Sequence, residues 1–282
     1  MSVQNFIPEL WSKKILKELD KSHMIVKNCT TKYSGEISGL GSKVRINSIN
    51  SPTVLPYAPN STSITPEQLK DESRMLEITE ANYFAFFLDD VDAKQSTGGL
   101  LEEGLRKAVI ALKDTAEAFV AGLYTQAVNT VTEATLTSGD FFSTFMRAKR
   151  LLMKNNVGMS DEIIAEVTPE VWEKGVLANI LYNQGNEDVI EKGLYVKSLG
   201  IKFFVSNNIP VTVTDQNVAA QTCSLRTKEA IAYAEQIMKI DKYMPENSFS
   251  EACKGLHVFG ARMIKPREAV SLVLTTAAET LV

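Results

Sequence analysis

Few side chains in this sequence stand at spacings that do chemistry. The two histidines, His23 and His257, are each alone, without the i, i+4 His-Glu-His arrangement or the nearby cysteine pair that a metal site needs. Both read as structural. Gly39-Leu40-Gly41 opens like a dinucleotide fingerprint, but Val44 stands where the third glycine belongs and no helix pattern follows. Asp89, Asp90 and Asp92 offer oxygen to a hard cation, yet their spacing departs from the calcium-loop pattern and no terminal glutamate completes it. They read as a solvated linker. There is no Gly-x-Ser-x-Gly elbow and no phosphate-binding Gly-x-x-x-x-Gly-Lys loop, and no cysteine sits in a nucleophile context. The sequence therefore assigns no catalytic, cofactor-binding or metal-ligating residue, and the chain reads as a non-enzyme.

Composition narrows the class. With 282 residues, 44% of them hydrophobic and 23% charged, the chain is long enough for one large core or two smaller ones. No run of eighteen apolar residues occurs, and Met1 to Asp20 mixes Trp11 and Leu16 with Lys13, Lys14 and Glu18 where a signal peptide would be apolar. Neither a membrane span nor a secretory signal is expected. Cys29, Cys223 and Cys253 are odd in number and far apart, which argues against a disulfide framework and for a reducing compartment. A net charge of −4 supplies no basic stripe for gripping nucleic acid through its phosphates.

The elements that must carry any function are organised around Thr97 to Val128. Leu101, Leu105, Ala108, Val109, Leu112, Ala116, Phe119, Val120, Leu123, Tyr124 and Ala127 recur every three or four residues, predicting one long amphipathic helix. Glu102 with Arg106, and Glu103 with Lys107, are acid-before-base pairs four apart that support it. Ahead of it, residues 6 to 20 read as a short helix with Trp11, Ile15 and Leu19 on one face. Lys43 to Asn47 and Met75 to Thr79 alternate with the two-residue period of paired strands. Between them lies a Pro-, Ser- and Thr-rich stretch from Asn50 to Ser73, too long for a tight turn, so the pair is expected to form an extended arm. A two-stranded arm is marginal in water and needs something to lie on, such as another chain.

Ala81 to Val91 reads as a strand buried on both faces. A domain boundary is expected at Thr135 to Asp140, with Asp140 capping a helix that runs to about Asn156. Thr168-Pro169 is an N-cap and first-turn proline after a strand over Glu162 to Val167, and Gly200 to Ser206 is a further strand. Thr227 is expected to cap a helix carrying Ile231, Ala234, Ile237 and Met238. Leu256 to Ile264 and Val270 to Leu274 supply closing strands on either side of Pro266.

Four tracts carry a resemblance. Phe6-Ile7-Pro8-Glu9-Leu10-Trp11, Tyr33 to Ile37 with Gly41-Ser42-Lys43-Val44, Gly200-Ile201 through Ser206-Asn207-Asn208-Ile209-Pro210, and Pro245 to Phe249 followed by Lys254 to Pro266 resemble tracts of the major capsid proteins of tailed double-stranded DNA bacteriophages. The likeness spans essentially the whole chain. It implies an α+β tailed-phage major capsid protein fold, with an N-terminal arm (1–35), an extended β-hairpin loop (36–80), a peripheral domain with a long spine helix (81–137 and 257–282) and an axial domain (138–256). The C-terminal strands would return to the peripheral sheet.

The resemblance also implies a function. The expected role is a structural subunit that self-assembles through pentamers and hexamers into an icosahedral shell enclosing the phage genome. The expected partners are copies of itself, a portal, a separate scaffolding protein, and packaged double-stranded DNA held without sequence specificity, with no membrane. The expected location is the virion, assembled in the host bacterial cytoplasm. The arm-like tract begins within ten residues of Met1, so no cleaved scaffolding segment is expected ahead of it. Some members of the family crosslink a lysine to an asparagine, and Lys70 and Asn60 lie in the loop region, but nothing identifies a catalytic acid for them, and no crosslink is expected. Two other readings stay open: an encapsulin-like nanocompartment holding cargo enzymes, and a soluble α+β enzyme with a dispersed site.

Overall fold

The computed structural model describes residues 24–34, 41–49, 54, 68, 71–89, 100–158, 161–182, 200–214, 218–244 and 250–276. The expected helix over 6 to 20, most of the Asn50 to Ser73 stretch, and the tract Pro245 to Phe249 lie outside them. In chain order the elements are α1 (Met24–Lys27), β1 (Lys43–Ile49), β2 (Asp71–Glu77), β3 (Glu80–Asp89), α2 (Leu100–Gly122), β4 (Asn129–Leu136), α3 (Phe141–Lys154), β5 (Ile163–Val167), α4 (Pro169–Tyr182), β6 (Ile201–Val205), β7 (Val211–Thr214), β8 (Val218–Thr227), β9 (Ile231–Tyr243), β10 (Ser250–Met263) and β11 (Ala269–Thr276). They form three sheets: the hairpin β1-β2, a three-stranded sheet β3-β10-β9, and a six-stranded sheet β4-β11-β8-β5-β6 with β7 alongside β8. No helix among the described residues is long and apolar enough to cross a membrane.

The long helix forms where its spacing predicts. α2 buries Leu105, Val109, Leu112, Ala116 and Val120 along one stripe, spans about 35 Å, and gives way to a 3-10 turn over Leu123–Gln126 that buries Tyr124. Its first half packs on Phe84, Phe86 and Cys253, and its second half on Ile25, Val26, Tyr233 and Phe259. β1 and β2 pair antiparallel from Lys43 opposite Glu77 to Ile49 opposite Asp71, as the alternation requires. The hairpin's base is anchored: Leu76 and Ile78 are buried with Ala232, Ala234 and Val258.

Three expectations are corrected. β3 is not buried on both faces: Phe84 and Phe86 turn to α2, while Tyr83 and Phe87 are 79% and 72% exposed. Its helix covers one face of the sheet only, and an unbroken apolar run does not reveal how many faces are covered. Ile231 to Met238 is not helical but part of the thirteen-residue strand β9, because pairing along β10 from Met263 to Ala252 satisfies its backbone. Thr227 caps no helix there, and its hydroxyl donates to Glu268 at 2.7 Å. The closing strands also part company: β10 joins the three-stranded sheet, whereas β11 lies between β4 and β8 in the six-stranded one.

Capping is likewise mixed. Thr168 accepts the Val171 N–H at 3.5 Å at the head of α4, as Thr-Pro predicts. Asp140 holds the N-cap position of α3, but its carboxylate accepts the Thr137 hydroxyl at 2.6 Å instead of a helix N–H.

Gly260 explains how closely the hairpin base sits on β10. A Cβ there would fall on the Glu77 carbonyl oxygen and within 2.8 Å of Ile78 Cα, both backbone. Gly260→Ala is expected to lower stability by ~1–3 kcal/mol, read by denaturant melts, with the extra hydrogen exchange concentrated in residues 75 to 78.

Candidate functional site

The six-stranded sheet has two buried faces of opposite character. Ile163, Ala165 and Val167 of β5, with Cys223 and Leu225 of β8, face the core filled by Phe141, Phe145, Leu152 and Val171 of α3 and α4. The alternate residues, Glu166, Ser224 and Arg226, face the other way and are as fully buried. Arg226 Nε and Nη2 donate to Glu166 Oε2 and Oε1 at 3.0 and 2.8 Å, a two-pronged pair with no solvent exposure on either side chain. Tyr124 OH and Ser224 Oγ donate to Glu166 Oε2 at 2.6 and 3.0 Å, and Asn28 Nδ2 donates to Oε1 at 3.1 Å. Arg226 Nη1 completes its fork on the Asn28 carbonyl at 2.8 Å. Burial works against the guanidinium charge, but the adjoining Glu166 carboxylate outweighs it and holds Arg226 protonated above its usual range. This is a satisfied buried junction.

A second buried carboxylate lies on α2. Glu117 Oε1 accepts the Met24 and Ile25 N–H groups at 2.7 and 3.3 Å, and Oε2 accepts Asn208 Nδ2 at 2.8 Å. The periodicity that predicts α2 places Glu117 on its polar side, where a glutamate reads as solvated. The signal for Glu166 and Arg226 was a charged residue inside each of two otherwise apolar or small-residue strands.

The surface carries three features. β3 hydrogen-bonds to β10 alone among the described residues, so it is an edge strand, and its exposed Tyr83 and Phe87 lie on the face away from α2. On its helix side runs an open groove of about 320 Å³ lined by Ala81, Phe84, Ala108, Leu112 and Thr115, where the Asn82 amide nitrogen is buried without a partner. Where the chain passes between the sheets, Glu229 accepts Lys265 and Lys32 at 2.7 and 2.6 Å, and Lys265 also meets Glu268 at 3.1 Å. Hydrogen bonds from Lys265 and Lys32 hold the Glu229 carboxyl down at about 2.

The residues singled out by type are placed as follows. His257 is buried, with Nε2 3.2 Å from Glu235 Oε2 and its ring stacked on Phe259. The Glu235 carboxylate also accepts Tyr233 OH at 2.8 Å. The three cysteines are free and buried, and burial pushes the Cys29 thiol up to about 11 and the Cys223 thiol up to about 12, far from a nucleophile's range. Asp89 ends β3. His23, Gly39, Leu40, Asn60, Lys70, Asp90 and Asp92 lie outside the described residues. Nothing described brings the histidines, cysteines and aspartates into one site.

Neither a protein-family model nor a curated protein matches the sequence. Solved structures do match. One from Mycobacterium phage Che8 superposes with a TM-score of 0.69 at 22% identity, covering 89% of this chain and 91% of that one. The capsid structure of the Cyanophage P-SCSP1u gives 0.69 at 16% identity, over 86% of this chain and 85% of that one. The chain has the phage capsid-protein fold. A virus-like particle from Pyrococcus furiosus shares the capsid fold at a TM-score of 0.58 and 12% identity, covering 95% of this chain and 99% of that one.

Two outcomes test the buried and exposed ionic groups. Arg226→Ala strands the Glu166 charge and is expected to cost ~3–5 kcal/mol in denaturant melts, while Arg226→Lys keeps the charge, loses the fork and recovers only part. Glu229, depressed from an ordinary 4.5 to about 2, contributes stability above pH 4.5 that is lost as pH falls toward 2. Its carboxyl carbon should titrate by NMR near pH 2 in the native chain, and near an ordinary carboxylate value in Lys265→Ala/Lys32→Ala.

Proposed function

We propose that this chain is a structural subunit that assembles with copies of itself, as pentamers and hexamers, into an icosahedral capsid enclosing a phage double-stranded DNA genome. The observation that carries this reading is the likeness to phage structures over nearly the full length of both chains, 89% and 91% in the first case. The work of the subunit is done by surfaces, and closed symmetry asks one chain to present complementary patches to several neighbours. An edge strand with two exposed aromatics, and a hairpin anchored on the body through Leu76 and Ile78, offer such surfaces.

On this reading residues 1–35 are the arm and 36–80 the extended loop. The three-stranded sheet with α2 is the peripheral part, and the six-stranded sheet with α3 and α4 the axial part. The subunit resides in the virion after assembly in the host cytoplasm, its acidic balance suits a container that does not grip its DNA, and a portal and a separate scaffolding protein complete the particle.

The second reading, an encapsulin-like shell around cargo enzymes, has less support: the virus-like particle from Pyrococcus furiosus covers 95% of this chain but superposes at a TM-score of 0.58, against 0.69 for the two phage structures above. Particles holding nuclease-protected DNA of fixed length support the virus, and co-purifying cargo enzyme supports the compartment. Deleting residues 52 to 70 is expected to abolish normal shells in sedimentation and negative-stain microscopy. Normal shells from that variant would refute the role of this stretch in securing neighbours.

A further inference from the structure

The two larger sheets are joined, among the described residues, by three passages of chain: Ala127-Val128 into β4, Lys228–Ala230 from β8 into β9, and Ile264 to Glu268 from β10 into β11. All three lie at one waist, since Val128 N–H donates to the Pro266 carbonyl at 3.2 Å and Ile264 N–H to the Ala230 carbonyl at 2.8 Å. Three short connectors grouped at one place form a hinge unless something braces it.

Beside the apolar contacts of Tyr124 with Ala269, Ile231 and Phe259, the brace is a seven-residue segment, 24–30, that belongs to neither sheet. Its single helical turn α1 is too short to persist alone, yet both its ends are held by groups of the right sign for the helix dipole. At the N-terminal end stands the Glu117 carboxylate of α2. At the C-terminal end Arg226 of β8 donates to the carbonyls of Asn28 and Ile25 at 2.8 and 3.4 Å, and Asn28 returns a hydrogen bond to Glu166 of β5. Thr30 then joins the other sheet: its N–H donates to the Ile231 carbonyl at 2.9 Å, and Tyr233 N–H donates to its carbonyl at 3.0 Å. One segment thus bonds to the six-stranded sheet, to α2 and to the three-stranded sheet within seven residues.

We propose that residues 24–30 are a polar latch that fixes the angle between the two sheets, and that opening it lets them turn about the waist. The chemistry suits a reversible contact. Opening the segment exposes Ile25, Val26 and Cys29, but it also rehydrates Glu117, Glu166 and Arg226, which offsets part of the cost of separating them. Lys32, two residues beyond, reaches Glu229 in the connector between β8 and β9, so the latch and the hinge are also tied ionically. If the subunit builds a shell, as proposed above, that angle sets local curvature, and the latch controls particle size. This last step rests on the shell reading; the latch itself does not.

The test separates them. Nitroxide labels at Met146→Cys on α3 and Tyr83→Cys on β3, both exposed positions on different sheets, report the inter-sheet distance in the full-length chain before assembly, the native cysteines being buried. Glu117→Ala, which removes the acceptor at one end, and Asn28→Ala, which removes the side-chain bond to Glu166 at the other while leaving the carbonyls to Arg226, are expected to broaden a narrow distance distribution and to raise amide exchange at Tyr233 and residues 24–30, at least tenfold in Glu117→Ala, with β11 unchanged. Glu117→Gln, which keeps an acceptor, should restore the narrow distribution and shows that any loss is not general unfolding. An unchanged distribution in both alanine variants overturns the latch. Assembled wild-type particles of one diameter, beside variant particles of several, support the curvature step. A broadened distribution with particles of unaltered diameter overturns that step alone, and a wild-type chain that forms no particles overturns the shell reading while leaving the distance result standing.

Discussion

A carboxylate and a guanidinium with no solvent exposure, Glu166 and Arg226, set the terms for everything around them. Withdrawing two charges from water is tolerable only when each remaining lone pair and proton finds a partner. Here the partners come from β8, from the turn after α2, and from the segment near residue 28, three places far apart in the sequence. The pair therefore dictates which elements lie together and in what register. A slip of one residue in β5 would carry Glu166 into the apolar core against Phe145 and bring Ala165 to the junction. No comparable penalty guards the apolar contacts, which tolerate exchange of one aliphatic residue for another.

The alternation of a strand is what lets one sheet serve two environments. β5 is buried at all five positions, yet it reads apolar on the face toward α3 and α4 and carries its charge on the face toward α2. That division makes the six-stranded sheet a wall between a conventional helix-covered core and a polar seam. α2 lies along the three-stranded sheet, and its second half with the turn that follows reaches the polar seam through Glu117 and Tyr124. Glu117, beside the apolar stripe of Ala116 and Val120, is buried because the helix there meets the backbone N–H groups of Met24 and Ile25 and the Asn208 amide.

Much of this was legible in the sequence where pattern is local. The long helix, expected over 97 to 128 and found over 100 to 122 before a 3-10 turn, the paired strands near 43 and 75, and the Thr168-Pro169 cap follow from periodicity and capping chemistry that neighbouring residues decide among themselves. What failed was non-local. Ile231 to Met238 fits a helical spacing and a strand spacing about equally, and only the presence of β10 alongside decides between them. The exposed face carrying Tyr83 and Phe87 was hidden for the same reason, since burial depends on what covers a strand and not on what it contains. The junction was half visible: a glutamate inside Ile163 to Val167 and an arginine inside Ser224 to Thr227 are conspicuous, but nothing in either tract says that each is the other's partner.

Fold and function part company at the surface. A phage capsid and a virus-like particle from Pyrococcus furiosus align with this chain over most of its length, so one arrangement of sheets and helices is common to both kinds of particle. It does constrain what the monomer is for. A ten-residue edge strand bearing two large exposed aromatics invites association, and chains that act alone protect such edges with charge, proline or a bulge. β3 carries its charges only at its two ends, Glu80 and Asp89, and no proline between them. That absence of protection is consistent with a subunit whose edge is covered by its neighbours, and it is a property of the sequence that would be a liability in a soluble enzyme of the same fold.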